Sequence, residues 1–445
     1  MRLSIPDVLE ATRGSITGGS QVAEAVRTFH TDSREVGPGG LFFALKGADT
    51  DGHRFLHQAA ERGAAAVVVE RPSRDLAGVA QVVVPETWRA LYDLAAHVLR
   101  TVDPLVVGIT GSNGKTSTKE MAAAVLATRF RVRKTEGNLN TETGVPLTIL
   151  GLEPGDQALV LEMAMQRAGE IKQLADLARP RVGVVTTIGS VHMEFFPTQQ
   201  DLARAKGELI EVLPRDGLAV LNADNEFFDL LSSLTSAPVR SFGLERGDLR
   251  GDGYEPLPKG GCRFRSGGVE VRLALSGRHQ ARNALAALAV GEFAGVSLRE
   301  GAEALQQVEV GQRLQEIRTR AGYAVVDDAY NASPESMLAA FDTIAERPRA
   351  GRLLAVLGEM RELGALAEEA HREVGKRAAE IFDAVCVIDV GYGRVLAEAA
   401  NGSLVPDKQA AASWVRMQAA PGSLVLVKAS HGLALDELVR DLVAA

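Results

Sequence analysis

The segment 105–119 constrains the fold of this chain more than any other, because it joins an apolar run to a glycine-rich loop and then to a helix-forming stretch. Gly111 and Gly114 let the backbone turn tightly and direct amide N–H groups at an anion, and the following helix adds the positive end of its dipole. We expect Lys115 to bind the terminal phosphates of a nucleotide and the Thr116 hydroxyl to hold Mg²⁺. The segment therefore predicts a nucleotide site between a strand and a helix.

The loop is a variant of the phosphate-loop pattern, since Ile109 stands where the strict pattern has a glycine five residues before Gly114. A glycine-rich turn with a solvated lysine is the alternative. The apolar run before the loop and the helix-forming stretch after it favour the nucleotide site. The nucleotide-binding residues predicted from this loop are Thr110, Gly111, Ser112, Asn113, Gly114, Lys115, Thr116 and Ser117.

Length and charge limit the possible classes of protein. A chain of 445 residues is too long for one hydrophobic core and indicates about three domains. Lys and Arg number 49 against 57 Asp and Glu, so the net charge of -8 offers no basic surface for nucleic acid or an anionic membrane. The only cysteines, Cys262 and Cys386, lie far apart in sequence, which disfavours a disulfide framework or a thiolate metal site.

The N-terminus and the hydropathy pattern indicate a cytoplasmic protein. Asp7, Glu10 and Arg13 interrupt the apolar run that a signal peptide would need. No stretch approaches the roughly 18 consecutive apolar residues of a membrane span. We expect a monomer without a membrane-spanning segment.

The order of strand-like and helix-like segments predicts an α/β protein of three domains. Residues 1–84 form a small α/β domain, residues 85–312 a P-loop-type ATPase domain with a parallel sheet, and residues 313–445 a Rossmann-like α/β domain. A small antiparallel excursion is expected over 247–274. The predicted strands of the two larger domains are Leu105–Thr110, Ala158–Glu162, Val182–Ile188, Leu218–Asn222, Tyr323–Asp327, Leu353–Leu357, Ala384–Val390 and Leu424–Lys428.

Glu162 and His192 fall at or just after the carboxyl ends of predicted central strands, as the Gly111 loop does. Ligands of parallel α/β sheets bind beyond those ends, so the three features are expected to share one crevice. An ordinary loop residue or a satisfied core residue remains the alternative for each of the two side chains.

Lys206 lies on the apolar face of a predicted helix that begins with a capping box at Thr198 and Asp201. Leu202 and Ile210 stand four residues before and after it. Burial disfavours the ammonium and lowers the pKa of a lysine, and a neutral amine can react with carbon dioxide to give a carbamate, an anionic metal ligand. In the alternative, the aliphatic stem packs and the charge reaches water.

Further polar groups follow predicted strands and open one helix. Asn283, near the start of the helix after Gly277, offers a donor and an acceptor to an adenine edge, although a helix-surface asparagine is the alternative. In the last domain, polar residues collect at three strand ends, in 327–334, 358–364 and 428–431, and suggest a binding face. The chain has no Gly-x-Gly-x-x-Gly, which disfavours a dinucleotide site.

In this order, the motifs resemble those of the Mur ligases of bacterial cell-wall synthesis over essentially the whole chain. The likeness rests on the Thr110–Thr116 loop, Leu-Glu-Met-Ala-Met around Glu162, Ile-Gly-Ser-Val-His-Met-Glu around His192, and Ala-Lys-Gly-Glu around Lys206. The resemblance implies ATP as the nucleotide and two Mg²⁺ sites. It also implies that Lys115, Glu162, His192 and a carbamylated Lys206 are the catalytic residues, with Thr116 and the last three as the metal ligands.

The same resemblance implies further binding residues. Asn283 matches a residue that contacts adenine, Arg313 one that faces phosphate, and Asp327 one that contacts the ribose. Residues implied to receive a uridine diphosphate sugar are Asp32, Ser33, Arg34, Gly47, His53, Asn138, Asn140 and Thr141. Residues implied to receive an incoming dipeptide are Tyr330, Asn331, Ser333, Glu359, Lys428 and Ser430.

Within the family, segments 327–336 and 358–364 resemble the members that add D-alanyl-D-alanine to a UDP-N-acetylmuramoyl-tripeptide, and the Asp-Asn-Pro-Arg box of the preceding ligase is absent. The implied reaction runs through an acyl phosphate and serves peptidoglycan synthesis, cell shape and cell division. Departures from the family pattern occur at Thr141, Gln280, Ala429 and His431.

Two other functions remain open at this point. One is a ligase on the same scaffold that adds an amino acid to a folate, to polyglutamate or to a different muramyl peptide. The other is a P-loop protein that binds nucleotide without forming a peptide bond, in which case Glu162, His192 and Lys206 have no joint role.

Overall fold

The structure, a computed structural model, describes residues 1–18, 25–47, 49–76, 78–258, 260–311 and 313–444. Gln312, the last residue of the predicted central domain, and Ala445, the end of the chain, lie outside the described residues. The described chain folds into successive α/β units, each with its own sheet, which confirms the predicted fold class. The exact domain boundaries stay a prediction.

The first unit is a mixed sheet with the strand order β2-β7-β6-β5-β4, in which only the β2-β7 pair of the described strands is antiparallel. Its first helix is stabilised by a capping box between Ser4 and Asp7. The strands are β1 Leu3–Ser4, β2 Ser15–Thr17, β3 Ala25–Val26, β4 Thr28–His30, β5 Gly40–Phe43, β6 Ala64–Val69 and β7 Ala80–Val83, and the helices are α1 Ile5–Thr12, α2 Leu56–Glu61 and α3 Thr87–Val102.

The central unit is built on a parallel sheet with the strand order β14-β13-β12-β11-β8-β10-β9. Its strands are apolar because helices cover both faces of the sheet. The strands are β8 Leu105–Thr110, β9 Val132–Lys134, β10 Ala158–Glu162, β11 Val182–Val185, β12 Leu218–Asn222, β13 Val239–Gly243 and β14 Leu249–Arg250. The helices are α4 Lys115–Leu126, α5 Gly144–Leu150, α6 Glu170–Ala178, α7 Gln199–Glu211, α8 Phe228–Ser233, α9 Arg278–Phe293 and α10 Leu298–Leu305.

The expected antiparallel excursion is present between β14 and α9. It consists of β15 Asp252–Pro256, β16 Cys262–Ser266 and β17 Val269–Leu273, paired in chain order. Phe264 of β16 is buried against one face of the central unit, so the excursion extends that core rather than forming a separate one.

The last unit has the strand order β18-β19-β23-β20-β21-β22, and among its described strands only the β18-β19 pair is antiparallel. Apolar clusters cover both faces of this sheet. The strands are β18 Gln315–Arg318, β19 Ala324–Asp327, β20 Leu353–Leu357, β21 Ala384–Ile388, β22 Ser403–Val405 and β23 Leu424–Lys428. The helices are α11 Pro334–Ala345, α12 Ala367–Ile381, α13 Gly393–Ala399, α14 Lys408–Gln418 and α15 Asp436–Ala444.

The first two units share one hydrophobic core. It runs from Val68 and Val82 of the first sheet through Leu91 and Leu94 of α3 to Leu159 of the central sheet. The apolar clusters of the last unit are separate from it. The first two units are therefore joined by apolar packing, whereas the last unit meets the central one through polar contacts such as the bond from the Tyr254 hydroxyl to Glu346.

The predicted strand at 182–188 is too long, since β11 ends at Val185. Just after this end, the backbone N–H of Thr186 donates to the Thr110 carbonyl at 3.0 Å, and its hydroxyl donates to the Asn113 carbonyl at 2.6 Å, so Thr186 ties the end of the strand to the glycine-rich loop. The strand predicted over 384–390 likewise ends early, at Ile388. Among the described residues, no helix combines the length and the apolar composition needed to cross a bilayer.

Candidate functional site

The glycine-rich loop joins β8 to α4 as the sequence predicts. Gly111 (φ 144°) and Gly114 (φ 84°) adopt backbone conformations that side chains disfavour. Gly114 is the N-cap of α4, and no side chain caps that helix, so its first N–H groups point at the loop. The loop thus has the geometry of an anion-binding helix start.

Lys115 opens α4, and its ammonium donates to the carbonyls of Gly111 (2.8 Å) and Ser112 (3.2 Å). Burial lowers the pKa of Lys115, the Glu162 carboxylate opposes that effect, and Arg313 adds to it. These couplings show that the loop lysine, the strand-end glutamate and the arginine of the last unit share one electrostatic environment.

The glycine-rich loop sits where the strand order reverses, because β8 lies between β10 and β11. Glu162 pairs in register with Ile109, and Val185 with Thr110, so the ends of the three strands are level. A parallel sheet binds its ligands at such a reversal point. The loop and Glu162 therefore lie at one edge of the sheet, and the crevice that they are expected to share with His192 stays a prediction.

Glu162 is buried, with 3% of its surface exposed. Its Oε1 accepts a hydrogen bond from the Asn140 side chain at 2.9 Å, and its backbone N–H donates to the Thr135 hydroxyl. Oε2 is buried and has no protein donor within the described part of the chain. A bare, buried carboxylate oxygen beside a phosphate-binding loop fits a divalent cation.

Lys206 lies on the apolar face of α7 and is 1% exposed. Burial, and secondarily the charge of Lys115, lowers the pKa of Lys206 well below that of a free lysine. Within the described residues, its amine makes no hydrogen bond or ion pair. These properties confirm the predicted burial and favour a neutral, reactive amine over one that reaches water. The predicted capping box of α7 is incomplete. The Thr198 hydroxyl accepts from the N–H of Asp201 at 3.1 Å, but the Asp201 carboxylate accepts from that same hydroxyl instead of from the backbone N–H of Thr198.

His192 follows β11 and has a left-handed backbone (φ 60°). Its Nδ1 lies 2.5 Å from Oε2 of Glu362 in the last unit, at the distance of an ion pair but without the angles of a linear hydrogen bond. Pairing with His192 lowers the pKa of the Glu362 carboxyl. Among the described residues, no three His, Cys, Asp or Glu side chains converge on one point. A cation here would need phosphate oxygens and water as additional ligands, which is the usual environment of Mg²⁺.

A cavity of about 330 Å³ lies between the central and last units. The glycine-rich loop and the start of α9 form one wall, and α11 forms the other. Apolar Leu314, Ala339 and Ala340 line part of it. The predicted nucleotide-binding residues that line it are Asn113, Gly114, Thr116, Ser117, Asn283 and Arg313.

Asp327 does not line this cavity, contrary to its predicted contact with the ribose. Asp328, the residue directly after β19, lines the cavity instead. Asp327 instead lies beside Asp436 and Arg440 of α15, and burial raises the pKa of its carboxyl. We therefore assign the cavity-facing carboxylate to Asp328.

Lys428 joins the end of β23 to the same cavity. Its ammonium, 1% exposed, pairs with Asp328 at 2.6 Å and donates to the Asn331 carbonyl at 2.9 Å. Burial lowers the pKa of Lys428 although Asp328 opposes the shift. The Ser333 hydroxyl, the N-cap of α11, accepts from the Asn113 side chain at 3.1 Å. The last unit thus contacts the glycine-rich loop directly.

The other residues predicted for the dipeptide lie in two places. The Arg313 guanidinium lies over the Tyr330 ring at 4.3 Å, and the His431 ring contacts Tyr330 in a tilted arrangement at 5.6 Å, at the edge of a second cavity of about 510 Å³ that also reaches Asn138. Glu359 and Ser430 instead stabilise the turn at Arg361. The Glu359 carboxylate accepts from the Arg361 guanidinium, and the Ser430 hydroxyl accepts from the Arg361 backbone N–H. Among the described residues, Glu359 makes no contact with Lys115.

The residues predicted for the uridine diphosphate sugar are occupied by contacts within the first unit. Asp32 pairs with Arg34 at 2.6 Å, and the hydroxyl of Ser33 donates to a nearby glutamine side chain. His53 bonds through both ring nitrogens, since Nε2 accepts from the Glu70 N–H and Nδ1 lies 2.7 Å from an Asp51 oxygen. His53 therefore shapes the turn that begins near Gly47, whose N–H donates to the carbonyl of Thr50.

In the central unit, Asn138, Asn140 and Thr141 precede α5. Asn140 orients Glu162, as described above, and Asn138 lines the second cavity. The carbonyl of Thr141 accepts from the Val145 N–H, and its side chain is exposed. Of these three residues, Asn140 is the one that contacts a predicted catalytic side chain.

The sequence reasoning missed several groups of the nucleotide cavity. Asp224 and Asn225 follow the end of β12, so the rule that found Glu162 and His192 would have found them as well. His279, the second residue of α9, lines the cavity, and burial together with nearby cations lowers the pKa of its imidazole to about 4. Glu335 also faces the cavity, and one of its oxygens is buried without a partner among the described residues.

Comparison with known sequences gives matches along the chain. Residues 26–99, 109–291 and 312–431 match sequence families described as Mur ligase family, catalytic domain; Mur ligase middle domain; and Mur ligase, glutamate ligase domain. The UDP-N-acetylmuramoyl-tripeptide--D-alanyl-D-alanine ligase of Bacillus subtilis is 35% identical and aligns with 100% of this chain and 99% of its own length.

Solved structures give the same result at the level of the fold. A MurF crystal structure from Acinetobacter baumannii superposes with a TM-score of 0.91 at 28% identity and covers 100% of this chain and 99% of its own. MurF ligase from Thermotoga maritima in complex with ADP superposes with a TM-score of 0.84 at 31% identity, over 94% and 97%. The similarity therefore extends through all of the units described above.

Proposed function

The chain belongs to the Mur ligase family, and from that premise we propose that it joins D-alanyl-D-alanine to a UDP-N-acetylmuramoyl-tripeptide with cleavage of ATP. One observation carries this conclusion, namely that the similarity to the Bacillus subtilis ligase of that name runs along the entire chain. The protein is an ATP-dependent, ADP-forming amide ligase, and its product, a UDP-N-acetylmuramoyl-pentapeptide, belongs to peptidoglycan synthesis. A folate ligase and a nucleotide-binding protein without ligase activity are disfavoured by the same observation.

The interdomain cavity is the site that we propose for ATP. Its phosphates would meet the N–H groups of the glycine-rich loop and the ammonium of Lys115. The adenine would lie at the other end, near Asn283, whose carboxamide can donate and accept. Support comes from the Thermotoga maritima relative, which binds ADP.

The reaction must begin by activating the tripeptide carboxylate, because its charge and resonance resist attack by an amine. Transfer of the γ-phosphoryl group of ATP to a carboxylate oxygen gives an acyl phosphate and releases ADP. Lys115 offsets the charge of the moving phosphoryl group. The free amine of D-alanyl-D-alanine then attacks the carbonyl carbon and loses a proton, and the resulting tetrahedral intermediate collapses to the amide with release of phosphate.

Mg²⁺ is proposed at two positions. The Thr116 hydroxyl and the bare oxygen of Glu162 would hold one ion with the ATP phosphates, and His192 with a carbamate of Lys206 would hold a second beside the substrate carboxylate. The negative charge that develops during phosphoryl transfer is offset by Mg²⁺ when it is bound there. The unpartnered amine of Lys206, whose pKa burial lowers well below that of a free lysine, supports the carbamate, since only the neutral form of an amine reacts with carbon dioxide.

Closure of the last unit onto the central one is proposed to exclude water from the acyl phosphate. The first and central units share a hydrophobic core, whereas the last unit meets the central one through polar contacts such as Ser333 with Asn113. The last unit is therefore the part that moves. Solution scattering should show compaction when an ATP analogue and the UDP substrate are both present, and an unchanged radius of gyration would contradict closure.

The function is tested by phosphate release from ATP with purified protein, UDP-N-acetylmuramoyl-tripeptide and D-alanyl-D-alanine, omitting each substrate in turn. Release should require both substrates, and the pentapeptide mass should appear. Equal release without either substrate would overturn the ligase function in favour of a nucleotide-binding protein. Lys206→Ala separates the two further, because it should stop ligation but leave a simple nucleotide switch intact. Cytoplasmic location and a monomeric state stay predictions.

A further inference from the structure

The loop of residues 189–194, called the His192 loop below, follows β11 and is contacted by two glutamates of the last unit. Oε1 of Glu335 accepts from a backbone N–H of this loop at 2.7 Å. Oε2 of Glu362 lies 2.5 Å from Nδ1 of His192, and the backbone carbonyl of Glu362 accepts from the N–H of Glu194 at 3.3 Å. The last unit therefore holds the loop that carries His192, a proposed metal ligand.

Both members of the His192–Glu362 pair have an unusual backbone. His192 has φ 60° and Glu362 has φ 62°, and neither residue is glycine. A non-glycine residue with a left-handed backbone is strained, and the surrounding contacts must offset the free energy of that strain. Strained residues of this kind cluster at functional sites. Two facing residues in this conformation indicate that their contact has a role beyond covering the surface.

The chemistry of imidazole gives that role. When Nδ1 faces a carboxylate, it carries the proton, and the lone pair of Nε2 is left for another ligand. In metal sites, a carboxylate that accepts from the far nitrogen of a histidine fixes the ring and its tautomer. Within the described residues, no side chain or backbone group bonds to Nε2 of His192.

We infer that Glu362 is a positioning residue that holds His192 with Nε2 as a metal-binding atom when the last unit is docked, an inference that rests on the proposed function of His192. Because the two residues belong to different units, docking and metal affinity are linked. Thermodynamic linkage requires that bound cation stabilises the docked arrangement by the same free energy by which docking strengthens cation binding.

The test measures binding of Mn²⁺ as a probe, by the electron paramagnetic resonance signal of the free ion, with a non-hydrolysable ATP analogue present. Glu362→Ala should weaken the His192-dependent Mn²⁺ binding about 10- to 100-fold. Glu362→Gln keeps an acceptor oxygen for Nδ1–H and should restore most of the affinity. Glu194→Ala is the matched control, since Glu194 is exposed in the same loop and its side chain has no described contact.

A double-mutant cycle with His192→Ala separates positioning from a general structural effect. If Glu362 acts through the histidine, Glu362→Ala should cause no further loss of Mn²⁺ affinity in the His192→Ala background. Losses that add fully would overturn the inference, as would parental affinity in Glu362→Ala alongside a loss in His192→Ala. Parental affinity in His192→Ala itself would overturn both the inference and the proposed metal role of His192.

Discussion

Lys206→Met replaces a buried amine by an apolar side chain of similar length. An unpartnered buried donor costs about 1–3 kcal/mol of stability, and the amine of Lys206 has no described partner. We therefore expect the free energy of unfolding to rise by about 1–3 kcal/mol in bicarbonate-free buffer. With a urea dependence of about 2 kcal/mol/M, the unfolding midpoint should increase by about 0.5–1.5 M.

Lys119→Met is the matched control. Lys119 is also 1% exposed, but its ammonium donates to the Thr135 carbonyl at 2.8 Å and pairs with Glu120 at 3.0 Å. Removing it leaves a buried carbonyl without a donor, so we expect the unfolding midpoint to fall instead of rise. The two variants thus differ in sign although both remove a buried lysine from a helix of the same unit.

The pH dependence follows from the same burial. The pKa of Lys206 is lowered from 10.5 in the folded protein, so the unfolded chain binds more protons at this residue below pH 10.5. The stability gained by Lys206→Met should therefore shrink as the pH rises towards 10.5. Ligation by Lys206→Met, assayed by phosphate release, should be lost. A midpoint that falls as far as in Lys119→Met would refute the reasoning, since it would mean that the amine is partnered in the folded protein.

Three further predictions concern other sites. Gly111→Ala should reduce kcat about 100-fold or more without unfolding the protein, as judged by circular dichroism, because its Cβ would collide with the Thr186 hydroxyl and shift the phosphate loop. Because the pKa of His279 is lowered from 6.5 to about 4, the free energy of unfolding should decrease by up to about 3 kcal/mol as the pH falls from 6.5 to 4. In urea titrations over the same pH range, His279→Gln should lose less unfolding free energy than the parent protein. Burial raises the pKa of Cys262 and Cys386 to about 12, so a disulfide reagent at pH 8 should modify both thiols quickly only after unfolding, and fast labelling of the native protein would contradict their burial.

Local patterns were sufficient for the elements and for the chemistry of the loop. The apolar runs of β8 and β10 end at the predicted residues, since a parallel strand buried on both faces must be apolar throughout. The helical period alone placed Lys206 among buried leucines, and the structure confirms that position. These inferences need only neighbours within about two helical turns.

Contacts between distant segments could not be read in this way. Both ring nitrogens of His53 bond within the first unit, one of them to the backbone of Glu70, and no sequence pattern indicated that pair; the ligand role of His53 stays a prediction. Asp328 rather than Asp327 faces the nucleotide cavity, because Asp327 lies against Asp436 and Arg440 of α15, more than a hundred residues further along the chain.

The sequence by itself therefore determined the α/β units, the phosphate loop and the burial of Lys206, since each depends on short-range periodicity and on the chemistry of adjacent residues. Only the tertiary structure decided that Glu335 and Glu362 reach the His192 loop. Those residues are more than a hundred positions away in sequence and meet the loop through side chains at an interface between units. No periodicity encodes such a meeting, because it depends on how two separately folded cores dock.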